Sequence, residues 1–393
     1  MSDQPFLVVL LNPRDLVIRA ARSLGLAMIV APSPEAPDPI DPPGPVLRSP
    51  WTTGIEDLVS QLRAMDLPGR ATCFGFGEIG CRASAAVNER MGWPGSGTAP
   101  HELFRDKARL RAAVGESAGE PVEHVVCRTK DELLPAIARI GFPCVVKPID
   151  STGSSGVCQL DGRDAAESFV ADLDLQGAQV VEEFLAGAEY SVEAVSSPQH
   201  GHRILAITEK TTAGPPHFVE TGHTLPAALP HEHEAAIAHV VTATLDAADY
   251  RYGVSHTEVM LTVAGPRLIE SHGRPGGDRI SDMLALALGE DVFEQAMAAV
   301  IGLPVAGAPT RRRVAGIRYA TFDRGIPAPA VDTAAVQALP GVVEAVVVVP
   351  AGQVPPEIRR SADRHGFVVA VADTREELDA DLARAVRAVT ARA

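Results

Sequence analysis

The sequence is short of several things, and each shortage excludes a class of protein. No apolar run in its 393 residues approaches the roughly 20 residues a membrane span requires, and the run Phe6–Leu11 is too short even for a signal-peptide core. The N-terminal residues carry no cationic leader. Cysteine is scarce: five residues, at 73, 81, 127, 144 and 158, an odd number with no CxxC pair. That speaks against a disulfide framework or a cysteine zinc site and predicts reduced thiols in a cytoplasmic chain. Positive charge is in deficit, with Lys+Arg 35 against Asp+Glu 50 and a net charge of −15. General nucleic-acid and anionic-membrane binding both need a cationic surface, so neither is expected. A local basic groove could still hold a phosphorylated small molecule. There is no GxGxxG, no P-loop and no convincing Ser-His-Asp or Cys-His arrangement, so neither a dinucleotide nor a covalent protein nucleophile is indicated.

What is present reads as a globular, multidomain chain. Hydrophobic residues make up 46% and charged residues 22%, an ordinary balance that excludes wholesale disorder. At about 100–200 residues per domain, the length predicts two or three domains. Gly (34) and Pro (32) are plentiful but lack a triplet period, so they signify turns. Phe6–Leu11 reads as a buried parallel strand, followed by a helix (DLVIRAARSLG) and a second apolar run (LAMIVAP), a β-α-β opening. Eight prolines between 31 and 50 mark an exposed loop. From about 104 the pattern becomes α+β. A capping box at Thr129–Glu132 opens a helix that Gly141 and Pro143 stop. A further α+β piece starts near 305. Its last helix has a capping box at Thr374–Glu377 and Leu378, Leu382, Val386 and Val389 on one face. The expected division is 1–103, 104–304 and 305–393.

Four constellations carry chemistry. Lys147 ends the apolar strand CVVKP and precedes the Gly/Ser loop Ser151–Gly156; a lysine there needs a negative partner, and the loop lets backbone N–H groups approach an anion. Val180-Val181-Glu182-Glu183-Phe184-Leu185 sets carboxylates after an apolar strand, with Glu189 a turn later; an apolar wall beside acids suits a purine nucleoside, and a solvated strand end is the alternative. A hairpin centred at Ala264 would put Glu258 opposite Glu270, Met260 opposite Leu268 and His256 opposite His272, all on one face. Two carboxylates directly across a strand pair repel, and a hard cation such as Mg²⁺ would reverse the sign. In a different register they would be ordinary exposed acids. Arg274, between glycines beside these acids, could hold a carboxylate or an oxyanion, or pair with Asp278 in a turn. The polar stretch Lys210–Pro226 adds Glu220 and His223, and DKARLR adds Lys107 and Arg111, by default a basic helix face.

In order along the chain, DKxxxR, VVKP, STGSSG, VEEFLAGAEYSVE, ITEK, VETGHTLP, HTEVMLT and IESHGRPGGDRI resemble the ATP-grasp superfamily, most closely its carboxylate–amine ligases of the L-amino-acid ligase type. The resemblance covers roughly residues 70–300. It implies an α/β and α+β multidomain architecture: an N-terminal Rossmann-like α/β domain, a mobile lid at about 118–187 within the ATP-grasp domain, and a C-terminal α+β region. It implies ATP with two Mg²⁺ ions (Mn²⁺ as the alternative) and small-molecule carboxylate and amine substrates; for assembly, a homodimer is the base-rate expectation. It places Lys107 and Lys147 on the ATP phosphates, Ser154 and Ser155 in the lid loop, and Glu182, Phe184 and Leu185 at the adenine hinge. Glu189 would bind ribose, Lys210 would lie beside adenine or phosphate, and Glu258 and Glu270 would hold metal. Arg274 and Lys147 would be catalytic, with Glu220, His223, His272, Arg274 and Gly276 towards substrate. Where many members have Glu-x-Asn, this chain has Glu270-Ser271-His272, and His272 is left out of the metal set because imidazole is a poorer Mg²⁺ ligand than oxygen. The implied activity is ATP-dependent amide formation from amino acids or short peptides. The alternatives are a bicarbonate-phosphorylating carboxylase and a silent nucleotide-binding protein.

Overall fold

The computed structural model describes residues 6–37, 41–151, 153, 155–305 and 309–391. Among them, no helix is long and apolar enough to cross a membrane. The opening β-α-β gives a parallel three-stranded sheet in the order β2-β1-β3, with β1 at Leu7–Leu11, β2 at Ala27–Ala31 and β3 at Ala71–Phe74. Every residue of β1 is buried, as expected for a strand covered on both faces. Strand alternation explains how: Leu7, Val9 and Leu11 enter one core with Leu58, Leu62 and Val87, while Val8 and Leu10 enter another with Leu284 and Met297. The second core is shared with helices Ile280–Leu288 and Val292–Ile301, so the N-terminal sheet is fastened to the rest of the chain through apolar contact.

A four-stranded antiparallel sheet follows, β4 (His124–Cys127), β5 (Cys144–Pro148), β6 (Cys158–Leu160) and β7 (Gln179–Glu183), in the order β4-β7-β5-β6. Helices Leu133–Ile140 and Arg163–Asp172 cover one face, burying Leu133, Ile137, Ala166 and Val170 against Cys144, Val146 and Val181. The turn at Thr129 forms as a 3₁₀ segment, Lys130–Glu132, ahead of the α-helix; the Glu132 carboxylate accepts from Arg128 N at 2.7 Å. The largest sheet contains β8 (Gly187–Ser197), β9 (Gly201–Thr212), β10 (Glu220–Leu225), β11 (Gly253–Thr262), β12 (Gly265–His272), β13 (Val314–Ala320), β14 (Val342–Val347) and β15 (Gly366–Ala372). Its order is β12-β11-β8-β9-β10-β13-β15-β14. The C-terminal strands are therefore no separate sheet. They continue the central one through β10–β13 pairing, with Gly222 opposite Arg318 and Leu225 opposite Ala315. The last helix, Arg375–Thr390, buries Leu378, Leu382 and Val389 on that extension, and Thr374 caps it by accepting from Glu377 N.

The β11–β12 hairpin pairs His256 with His272 and Glu258 with Glu270, as the sequence pattern suggests. Met260, however, pairs with Arg267 and not with Leu268. Thr262 pairs with Gly265, so the turn is centred between Val263 and Ala264, half a residue from the expected point, and one bulged residue restores the outer register. Leu284 is fully buried where the N-terminal and central sheets share a core. Leu284→Ala is expected to cost about 2–5 kcal/mol in denaturant unfolding. Val263→Ser, at the fully exposed hairpin tip, should change stability by less than about 0.5 kcal/mol.

Candidate active site

A cleft opens between the four-stranded sheet and the β11–β12 end of the large sheet. Val145, Val157, Phe184, Leu185, Phe218, Met260 and Ile269 form apolar walls around Lys107, Lys147, Glu182, Glu189, Lys210, Glu220, Glu258 and Glu270. Alternation along β5 sends Cys144 and Val146 into the core and leaves Val145 and Lys147 on the cleft side. Lys147 Nζ lies 2.6 Å from Glu182 Oε1, and Arg111 Nη1 lies 2.5 Å from Glu182 Oε2. Burial alone would raise the Glu182 pKa; Arg111 and Lys147 outweigh it and hold the carboxyl below its ordinary value. Burial lowers the Lys147 pKa, opposed by Glu182.

Lys107 is the first residue of helix Lys107–Val114, which Asp106 caps by accepting from Arg109 N. A cation at a helix N-terminus opposes the dipole and needs nearby negative charge. Its ammonium donates to Ser151 O at 2.7 Å and lies 3.0 Å from Glu270 Oε2. Lys210, on β9, contacts Glu189 and lies 2.7 Å from Glu258 Oε1 and 3.7 Å from Glu220 Oε1. Burial disfavours its charge, but the three acids raise its pKa well above the ordinary lysine value. Three carboxylates around one ammonium are not equally compensated: burial together with Glu258 and Glu220 pushes Glu189 upward.

Glu258 and Glu270 do face one another, but protein cations already offset their repulsion. His256 Nε2 lies 3.2 Å from Glu258, and His272 Nε2 lies 3.0 Å from Glu270. The two imidazoles stack, 6.3 Å between centroids. Burial would raise both carboxyls; Lys210 and His256 lower Glu258, and Lys107 and His272 lower Glu270. Lys107, Lys210 and the two imidazoles thus supply the compensation that the sequence reading assigned to a metal cation. Both acids remain ionised oxygen donors on one cleft wall, a donor set that fits a hard divalent cation, and the three lysines fit a polyphosphate.

Other expected positions lie elsewhere. Ser154 falls outside the described residues, and Ser155 is described but does not line the cleft. The Glu182 side chain is committed to Arg111 and Lys147, leaving only its backbone for a base. Arg274 does not face the paired acids. Its Nε lies 3.4 Å from Glu78 Oε2 and its Nη1 donates to Pro275 O. Nor does it pair with Asp278, which takes His223 at 2.8 Å and Arg364 at 2.5 Å. Gly276 N donates to Glu193 Oε2 at 3.0 Å, and a Cβ there would meet Glu193 and His256 at 2.8 Å. Arg274 lines a second cavity with Cys73, Cys81, Ser84, Asn88, His101 and Tyr250. His272, 3.5 Å from Glu78 through Nδ1, joins the two cavities in the series Glu270–His272–Glu78–Arg274. Sequence reasoning anticipated Phe184 and Leu185 but missed Arg111, Glu193, Arg364 and the wall residues Val145, Val157, Phe218 and Ile269. Only Arg111 left a trace, in DKARLR, where an ordinary surface reading prevailed.

The sequence matches the family described as ATP-grasp domain over residues 140–282 and that described as L-amino acid ligase C-terminal domain 2 over 330–393. It is 31% identical over 312 residues to the uncharacterized protein y4rH of Sinorhizobium fredii (strain NBRC 101917 / NGR234), covering 75% of this chain and 63% of that one. It is 27% identical over 296 residues to carnosine synthase 1 of Gallus gallus, covering 69% of this chain and 32% of that one. The chain thus spans less than two thirds of the length of either relative. The L-amino acid ligase from Bacillus licheniformis shares the fold, with a TM-score of 0.81 over 98% of both chains at 21% identity. The fold is that of the ATP-grasp ligases. In sequence and fold the chain is similar to the ATP-grasp proteins of the L-amino acid ligase type.

His101, packed edge-on to Tyr250, is buried, and burial lowers its pKa to about 4 despite Glu78 nearby. It is neutral when folded and titrates near 6.5 when unfolded, so its contribution is complete above pH 6.5 and is lost as pH falls towards 4. Wild-type stability is expected to fall over that window by up to about 3 kcal/mol more than that of His101→Phe, measured by urea unfolding at each pH.

Proposed function

We propose that the protein is an ATP-dependent carboxylate–amine ligase, making an amide bond through an acyl phosphate with release of ADP and phosphate. The observation that carries this reading is the opposed pair Glu258 and Glu270 in a cleft that also holds Lys107, Lys147 and Lys210. Bound Mg-ATP, with one ion or two, supplies the transferable γ-phosphoryl group and the divalent charge. Glu258 and Glu270 are the residues that would hold the metal. Lys107 and Lys147 would exchange part of their contact with Glu270 and Glu182 for phosphate oxygens, so that an anionic carboxylate can approach. Val145, Phe184, Leu185, Met260 and Ile269 would sandwich the base, and Glu189 would accept from ribose hydroxyls.

The acid and amine belong in the second cavity, beside Arg274, which lies on the far side of His272 from the cleft. There the guanidinium would receive the substrate carboxylate and then the oxyanion formed when the amine attacks. Amino acids or short peptides suit a small cavity rich in Ser84, Asn88, His101 and Tyr250. The match over 330–393 supports this class over a bicarbonate-phosphorylating one. The five unpaired cysteines agree with a reducing cytoplasm.

A panel of amino-acid pairs supplied with Mg-ATP is expected to yield ADP, phosphate and an amide product by mass spectrometry. AMP and pyrophosphate in their place would remove the proposal. Glu270→Ala is expected to lower turnover by roughly 10²–10³-fold with an unchanged far-UV circular dichroism spectrum. Lys147→Ala should weaken Mg-ATP binding by about 10- to 100-fold in calorimetry; unchanged affinity would reject its phosphate role.

A further inference from the structure

The chain crosses into the four-stranded sheet between Ala118 and His124 and leaves it between Glu183 and Gly187. The two crossings are joined to each other: Glu183 N donates to Glu123 O at 3.0 Å, and Glu123 N donates to Glu183 Oε1 at 2.7 Å. Arg267 of β12 joins both to the large sheet. Its Nη2 donates to Pro121 O at 2.5 Å and to Glu183 Oε1 at 2.6 Å, and its Nη1 donates to Glu120 Oε2 at 3.1 Å. Arg267 is only 6% exposed. A buried guanidinium is costly unless several acceptors satisfy it, and here they come from both crossings. Glu182 and Glu183, adjacent at the end of β7, project to opposite sides. Each is held by its own buried arginine, Arg111 for Glu182 and Arg267 for Glu183. Arg111 reaches β12 as well, donating to Ile269 O at 3.3 Å.

We propose that Arg267 is a positioning residue for nucleotide binding: it pins both chain crossings to the strand that carries Glu270. The wall residues Phe184 and Leu185 directly follow Glu183, so the pin fixes their spacing from Ile269 and Glu270 across the cleft. This rests on the nucleotide-site reading above. Without the pin the crossings remain joined to each other through Glu123 and Glu183, and the four-stranded sheet keeps its own core. What is lost is the register between that sheet and β12, which binding would then have to restore.

The test uses the full chain with Arg267→Met, which keeps the aliphatic stem and removes the acceptors' partner. The Kd for Mg-ATP is expected to rise roughly tenfold, with the loss in KM for ATP and kcat at saturating ATP within about threefold of wild type. Amide exchange in the ligand-free protein is expected to quicken roughly tenfold at 120–123 and 183–187, and to stay unchanged in β5 and in helix Leu133–Ile140. A Kd within about twofold of wild type, or exchange quickened evenly over the chain, would overturn the proposal. If Arg267→Met does not fold, Glu183→Gln is read by the same criteria. Should wild type itself fail to bind Mg-ATP, the nucleotide reading falls, and the local exchange pattern alone then decides whether Arg267 is the pin.

Discussion

Two carboxylates held face to face on neighbouring strands govern the arrangement around them. Antiparallel pairing of β11 with β12 brings Glu258 and Glu270 together in the backbone register, so side-chain rotation alone cannot relieve their repulsion. Compensation has to come from cations. Two arrive in the same hairpin, as His256 and His272, two residues from each acid along the strands. The other two come from elsewhere: Lys107 from a helix preceding the four-stranded sheet, and Lys210 from β9, two strands removed from β11. Electrostatics at one strand pair therefore recruits several elements of the fold to one wall of the cleft.

The cleft repeats this alternation throughout. Lys147 and Arg111 share Glu182, and Lys210 is shared among Glu189, Glu220 and Glu258. Buried ion pairs are poor contributors to stability, because desolvation cancels much of their attraction. Their value here is to hold charged groups ionised and in place without a ligand. A polyphosphate entering such a site meets ammonium groups that are already oriented, so little rotamer entropy is lost on binding. The apolar side chains of β5, β11 and β12 line the same space, so an apolar wall adjoins the ammonium groups; in the proposed function the wall takes a flat base and the ammonium groups its phosphates.

Much of this was legible in the sequence, because strand alternation and residue chemistry are local. Lys147 at the end of CVVKP, the acids after QVV, and the pairing of His256 with His272 and Glu258 with Glu270 all follow from period-2 patterns and a short turn. The capping at Thr374 follows from local spacing too. What was not legible depends on long-range partners. Arg111 in DKARLR looks like any helix-surface arginine until β7 brings Glu182 to it, 71 residues later in the chain. The contact of Arg274 with Glu78, 196 residues earlier, went unseen because nothing in the sequence links Glu78 to the hairpin. The strand Val314–Ala320 was overlooked, and with it the continuity of the large sheet, since VAGIRYA is short and its partner strand β10 lies in a stretch that reads as a polar loop.

The bulge in β12 shows how closely register and chemistry are tied. Paired residues on adjacent strands project to the same side, so Arg267, opposite Met260, is on the cleft side, while Leu268, opposite Val259, enters the core. Glu270, opposite Glu258, is again on the cleft side. In a regular strand, residues 268 and 270 would share a face, and either Leu268 would lie in the cleft or Glu270 in the apolar core. The extra residue, Ile269, breaks that alternation and lines the cleft itself. A single inserted position thus lets one strand present Arg267 to the chain crossings, Ile269 as an apolar wall and Glu270 as an ionised acid. It does so while keeping Leu268 packed against Val259 and Leu245 beneath them.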